Sequence, residues 1–171
     1  MDGLADWADG FWGARDREKT LAIMKDPRVG SFGALAIACV LLVKWVSLTR
    51  LVETGSPCWI LAACVNSRTG MVVLLATQPY ARAEGGTAAP FSQGAAPWRL
   101  AAALLAAAVV TPLFCGRSWT WPAALLLAWA GARVFGAWCN RRVGGITGDL
   151  LGACCELTET GILAAGALTG T

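Results

Sequence analysis

The sequence predicts an all-α, polytopic integral membrane bundle with about five transmembrane helices, on three observations. Hydrophobic residues fill 56% of the 171 positions and charged residues only 15%, leaving more apolar surface than a single soluble core of this size can hide. The apolar residues gather in runs near 30–51, 57–78, 98–115, 119–138 and 150–168, most of which reach the roughly 20 residues needed to cross a bilayer. The 20 glycines and the many alanines suit the close approach of membrane helices, whose interfaces favour small side chains, and are compatible with self-association.

The stretch ahead of the first apolar run is polar and carries the most chemistry. Asp2, Asp6 and Asp9 recur at spacings of four and three, which places three carboxylates on one face of a helix. Anions this close repel unless a cation joins them. With no His in the chain and no Cys nearby, oxygen-only donors point to a hard ion such as Mg²⁺, whose usual work on carboxylates is to orient phosphate groups. The competing reading is a solvated helix whose Asp residues favour its first turn. From Gly10 a short polar link leads into a small amphipathic helix around Arg17 to Met24 and a turn at Asp26-Pro27. Arg15, Lys25 and Arg28 stand where they can hold diphosphate oxygens left by the metal, Arg by paired contacts and Lys as a point charge. Arg17 and Lys19 read equally well as a solvated basic face.

Charged residues inside the apolar runs are informative because a charge at mid-bilayer costs at least about 2.5 kcal/mol on insertion scales. Lys44 and Arg133 lie near enough to a helix end to snorkel. Arg68, beside Asn66, lies deep in its run, so it faces a polar interior as a substrate contact or pairs with a carboxylate. The connection from 79 to 97 begins Pro79-Tyr80-Ala81-Arg82-Ala83-Glu84 and is longer than packed elements usually need, which suits a loop closing over a ligand through Tyr80, Arg82 and Glu84. Region 139–149 ends in Gly144-Gly145-Ile146-Thr147-Gly148-Asp149, glycines that can bring backbone N–H groups to an anion. Asp149, Glu156 and Glu159 share one sector of the last helix, which suits a cavity or a cation, with Asp149 as a metal ligand or a general base.

Orientation follows from the basic residues. With five crossings, 1–29, 79–97 and 139–149 share one side. That side carries Arg15, Arg17, Lys19, Lys25, Arg28, Arg82, Arg141 and Arg142, which assigns it to the cytoplasm of a cell (inner) membrane protein. The chain reads as one domain, 1–171, with its site-bearing loops on that side. A formal net charge of +3 without an aromatic ladder is not a nucleic-acid signature. Trp59, Trp98, Trp119 and Trp121 fall near helix ends, as expected of interfacial anchors. The seven cysteines lack metal-ligand spacing and read as small buried hydrophobes. The start of the chain does not resemble a signal peptide.

Four motifs in one order, DGLADWADG, IMKDPRVGSFG from Ile23, YARAEG from Tyr80 and GGITGDLLGACCELTE from Gly144, resemble the cobalamin synthase (adenosylcobinamide-GDP ribazoletransferase) family over essentially the whole chain. The resemblance implies an integral membrane, Mg²⁺-dependent transferase that joins alpha-ribazole or its 5'-phosphate to adenosylcobinamide-GDP and releases GMP. It places the family's first acidic cluster on Asp2, Asp6 and Asp9 and its second on Asp149, Glu156 and Glu159. It makes Asp149 the expected general base, with Asp26 second and Lys25 beside it. Family members normally carry further membrane segments before the acidic run, with a His commonly preceding it where Met1 stands, so the chain is expected to correspond to the later part of the family's length. Two other classes stay open: a CDP-alcohol-type phosphotransferase, whose longer acidic signature fits less well, and a non-catalytic transporter fragment.

Overall fold

The computed structural model describes residues 1–82, 90, 97–115 and 120–169. It is all-α, with α1 (Asp2–Gly13), α2 (Arg17–Ile23), α3 (Ser31–Glu53), α4 (Cys58–Thr77), α5 (Pro97–Cys115), α6 (Thr120–Val143) and α7 (Gly148–Thr169). Among the described residues three helices, α3, α4 and α7, are long and apolar enough to cross a membrane. That corrects the expectation of about five. The apolar run of α5 covers only Pro97–Leu113, which at about 1.5 Å per residue falls short of a hydrocarbon core of about 30 Å. The last turn of α6 carries Asn140, Arg141 and Arg142 and is used under α1, where Arg142 Nη2 donates to the Phe11 carbonyl at 3.0 Å.

Local chemistry sets the helix boundaries. Asp16 caps α2 by accepting the Lys19 N–H at 2.8 Å, and Thr147 caps α7 by accepting the Leu150 N–H at 3.3 Å, each satisfying an amide that a helix start leaves free. The α3 carboxyl end is closed by Gly55 at φ +65, with the Ser56 N–H reaching the Leu51 carbonyl at 2.8 Å, the left-handed stop that glycine adopts without a Cβ penalty.

α7 packs on α1, α3, α4 and α6, while α4 also holds α5 and α6. α1 is a core element. Leu4, Ala5 and Ala8 are almost wholly buried, which excludes the solvated-helix reading. Its Trp7, Phe11 and Trp12 meet Phe135 and Trp138 of α6 in tilted and edge-to-face pairs, the arrangement ring quadrupoles favour. Trp59 also departs from expectation, since it is 5% exposed and lies against Gly166, where a Cβ would meet its indole. It packs α4 on α7, whereas Trp98 at the start of α5 is 67% exposed, as an anchor requires. Trp119 and the Trp121 side chain lie outside the described residues.

Candidate active site

One pole of the bundle gathers α1, α2, the start of α3, the end of α4, the end of α6 and the start of α7. A strap holds the last three junctions together. The Ala81 N–H donates to the Ile146 carbonyl and the Ile146 N–H to the Pro79 carbonyl, both at 2.8 Å, so Tyr80 and Ile146 form a short parallel bridge. Gly145 sits in the strap at φ +150, where an added Cβ would also run into the Pro79 carbonyl, so no other residue fits without displacement. Arg17 then fastens α2 to both sides, its Nε donating to the Val143 carbonyl at 2.8 Å and its Nη2 to the Ala81 carbonyl at 2.9 Å. Arg142 Nη2 holds the end of α1 through the Phe11 and Ala14 carbonyls, where a cation also complements the helix dipole. Sequence reasoning missed both arginines as fasteners because a basic residue near a membrane end satisfies the charge-orientation rule without needing a partner.

The strap brings Arg82 onto Asp149. Arg82 Nη2 lies 2.9 Å from Asp149 Oδ2, with side-chain exposures of 18% and 26%, and Thr147 Oγ1 approaches the same oxygen at 3.4 Å. The buried Nε of Arg82 has no hydrogen-bond partner among the described residues. α1 crosses the start of α7 closely because Gly3 lies against the Asp149 backbone, where any Cβ would strike the carbonyl oxygen. That crossing places Asp6 in the field of Asp2, Asp149 and Asp9. The Asp6 carboxyl is pushed up from the ordinary 3.8 to about 6, first by burial and then by those three negative charges, with Arg82 opposing.

Asp9 plays a different part. Its Oδ2 accepts the Gly30 N–H at 2.7 Å and its Oδ1 the Gly33 N–H at 2.9 Å, so α1 supplies the cap that the start of α3 lacks in its own sequence. Cβ atoms at Gly30 or Gly33 would collide with this carboxylate. Gly33→Ala is therefore expected to lower stability by about 1–3 kcal/mol, read as a fall in the thermal midpoint, while Ser31→Ala on the exposed side stays within about 0.5 kcal/mol. An unchanged midpoint for Gly33→Ala would show that Asp9 does not cap α3.

The other expected site residues separate into two groups. Asp26 and Arg28 pair with each other at 2.7 Å, Arg28 being 87% exposed. The guanidinium holds the Asp26 carboxyl down at about 2, through its side-chain hydrogen bonds first, which makes Asp26 a poor proton acceptor. Both line a pocket of about 400 Å³ with Asp9 and Gly30. Arg15 and Lys25 are exposed nearby in sequence, and Tyr80 is half-buried in the strap. Glu84 lies outside the described residues, as does most of 79–97. Glu156 and Glu159, expected as metal ligands, are engaged in ion pairs. Lys44 Nζ sits 2.6 Å from Glu156 Oε2 and 2.7 Å from Glu159 Oε1, Arg68 Nη1 lies 2.5 Å from Glu159 Oε2, and Glu156 Oε1 is 3.2 Å from the nitrogen of Met1. Arg68 thus takes the ion-pair alternative, not a place at the acidic pole. Among the described residues no group of three or more His, Cys, Asp or Glu side chains is arranged to hold a metal ion. The donor chemistry at the pole still fits a hard cation, because the like charge crowded around Asp6 is what such an ion relieves.

Fold and pole together define a class: an all-α polytopic membrane protein with a carboxylate-rich site, flanked by arginine, at one end of its bundle. Within it, the family model described as CobS, cobalamin-5-phosphate synthase, matches residues 1–167, and the chain belongs to that family of cobalamin-pathway enzymes. The chain is 48% identical to an adenosylcobinamide-GDP ribazoletransferase of Chlorobium phaeovibrioides over 96% of its own length and 67% of the relative's. It is 48% identical to the protein of that name from Chlorobaculum parvum over 94% and 64%, and 42% identical to that from Syntrophobacter fumaroxidans over 98% and 66%. It thus spans about two thirds of the length of these curated relatives. No solved structure matches it.

Proposed function

We propose that the protein transfers the adenosylcobinamide phosphate group from adenosylcobinamide-GDP to the hydroxyl of alpha-ribazole or its 5'-phosphate, releasing GMP, at the cytoplasmic face of the cell membrane. The observation that carries this reading is the convergence of Asp2, Asp6, Asp149 and Arg82 at one pole, with the Asp6 carboxyl held near 6 by burial and neighbouring charge. Family membership supplies the substrate class.

Asp2 and Asp6 are the residues that would hold Mg²⁺, with Asp149 beside them, and the ion when bound supplies charge neutralisation to the diphosphate. Asp9, committed to two backbone amides, holds the start of α3 in place. The remaining chemistry belongs to the chain. Arg82 offers guanidinium donors to a phosphate oxygen. Asp149 takes the proton of the attacking hydroxyl as the new oxygen–phosphorus bond forms on the cobinamide side, while the bridging oxygen leaves with GMP. Arg28, exposed at the pocket that Asp9 also lines, with Arg15 and Lys25, supplies further positive charge for the nucleotide phosphates. The cytoplasmic orientation follows from the basic residues of α2, Arg82, Arg141 and Arg142 at this pole.

The test is GMP release, followed by chromatography, from the protein in lipid vesicles supplied with adenosylcobinamide-GDP and alpha-ribazole. Release that depends on both substrates and on Mg²⁺ is the expected result. Release of another nucleotide monophosphate from a CDP-alcohol, or none under any condition, would overturn the assignment.

A further inference from the structure

Among the described residues, the three helices long and apolar enough to cross a membrane are joined by one chain of ion pairs. α3 contributes Lys44, α7 contributes Glu156 and Glu159, and α4 contributes Arg68. Lys44 and Arg68 balance Glu156 and Glu159 within apolar segments, and the Met1 ammonium adds a further contact to Glu156 Oε1 at 3.2 Å. The side-chain contacts are short, 2.6, 2.7 and 2.5 Å, and Ser67 Oγ accepts from Arg68 Nη1 at 2.8 Å. Lys44 is the hub, because its ammonium alone touches both glutamates and its side chain is only 13% exposed.

This geometry constrains α7 in a way that apolar packing does not. Leucine and alanine surfaces tolerate sliding, whereas a one-residue slip turns a helix by about 100° and would carry both glutamates away from Lys44. Stranding charges in an apolar span is strongly unfavourable. Glu156 lies two helical turns beyond Asp149 on the same helix, so whatever fixes the glutamates fixes the height and rotation at which Asp149 meets Arg82 and Asp6.

We propose that the Lys44–Glu156–Glu159–Arg68 chain is a register lock, and that Lys44 is a positioning residue which sets α7 so that Asp149 reaches the acidic pole. Its kinetic consequences rest on the transfer reaction proposed above, but its structural consequences do not. The glutamates act as counter-charges to Lys44 and Arg68, and the lock takes no part in binding the nucleotide or the divalent ion.

The experiment compares Lys44→Met, Lys44→Arg and a neutral quadruple variant (Lys44→Met, Arg68→Met, Glu156→Gln, Glu159→Gln), each reconstituted in lipid. Spin labels are introduced as encoded side chains at the exposed far-end positions Val52 and Leu168. The wild type and Lys44→Arg are expected to give one narrow distance between α3 and α7, and Lys44→Met and the quadruple variant a broad or displaced one. The thermal midpoint falls in Lys44→Met and recovers in the quadruple variant, where none of the four side chains is charged and only the half-exposed Met1 ammonium loses its partner. In the activity arm kcat falls about 100-fold in both, the scale of a misplaced catalytic group, with KM and the half-saturating Mg²⁺ concentration within about twofold of the wild type, while Lys44→Arg retains kcat. A narrow distance and full kcat in the quadruple variant would overturn the lock, and so would a raised Mg²⁺ requirement in Glu156→Gln alone. An inactive wild type that still shows the narrow-to-broad change would sink the proposed reaction and leave the lock standing.

Discussion

Asp6→Asn is expected to abolish Mg²⁺-dependent transfer, by at least about 100-fold, while making the ion-free protein more stable. Both effects come from one cause. Asp6 is raised to about 6 by burial and by the charges of Asp2, Asp149 and Asp9, so its ionised form is disfavoured in the fold relative to the unfolded chain. For a carboxyl raised in this sense, stability is complete below the ordinary value of 3.8 and is lost as pH climbs through about 6. The ion-free wild type should therefore lose stability across that window. Asparagine removes the loss, by about 1 kcal/mol once solvent screening of this partly exposed group is allowed for, or a few degrees in the thermal midpoint. Added Mg²⁺ should raise the wild-type midpoint at neutral pH, because it binds the folded form, and should raise that of Asp6→Asn much less. The measurement is a set of thermal scans between pH 4 and 8 with and without Mg²⁺. Equal pH dependence in the two proteins, or an active Asp6→Asn, would remove Asp6 from the metal site.

Much of this pole was legible because helical spacing is a covalent fact. The four- and three-residue intervals of Asp2, Asp6 and Asp9 force one face, and that face does meet Asp149, whose Gly-rich approach marked it as unusual. The strap that joins Ala81 to Ile146 brings the residues after Pro79 against the end of 139–149. The division of labour among the carboxylates was not legible. Asp9 differs from Asp6 only by which neighbour it meets, and its neighbours Gly30 and Gly33 lie 21 and 24 positions away. The pairing of Lys44 with α7 spans 112 and 115 positions, and a single sequence carries no signal at that range. Lys44 was read as snorkelling because depth along its own helix was the only coordinate available. Burial of α1 was also hidden, since its Ala, Gly and Asp content resembles a surface helix until the ring cluster with α6 is assembled.

Asp149→Asn and Arg82→Ala are expected to fail in different ways, and the difference assigns their roles. Asp149 accepts from Arg82 at 2.9 Å and stands beside the acidic face of α1, so the asparagine variant keeps its shape, loses the proton acceptor and lowers kcat by about 10²–10⁴-fold with little change in KM. Arg82→Ala removes a guanidinium whose Nη2 orients Asp149 and whose buried Nε has no partner among the described residues. It should raise the KM for the nucleotide substrate and lower kcat more modestly. Lysine at 82 should restore charge without function, since a point ammonium cannot hold Asp149 and offer a second fixed donor to phosphate at once. Because the two side chains act as one unit, the double variant is expected to be no slower than Asp149→Asn alone. Additive losses would mean that Arg82 does not act through its contact with Asp149. Retained kcat in Asp149→Asn would move the base elsewhere, and the Asp26 carboxyl, held at about 2 by Arg28, is poorly suited to take its place.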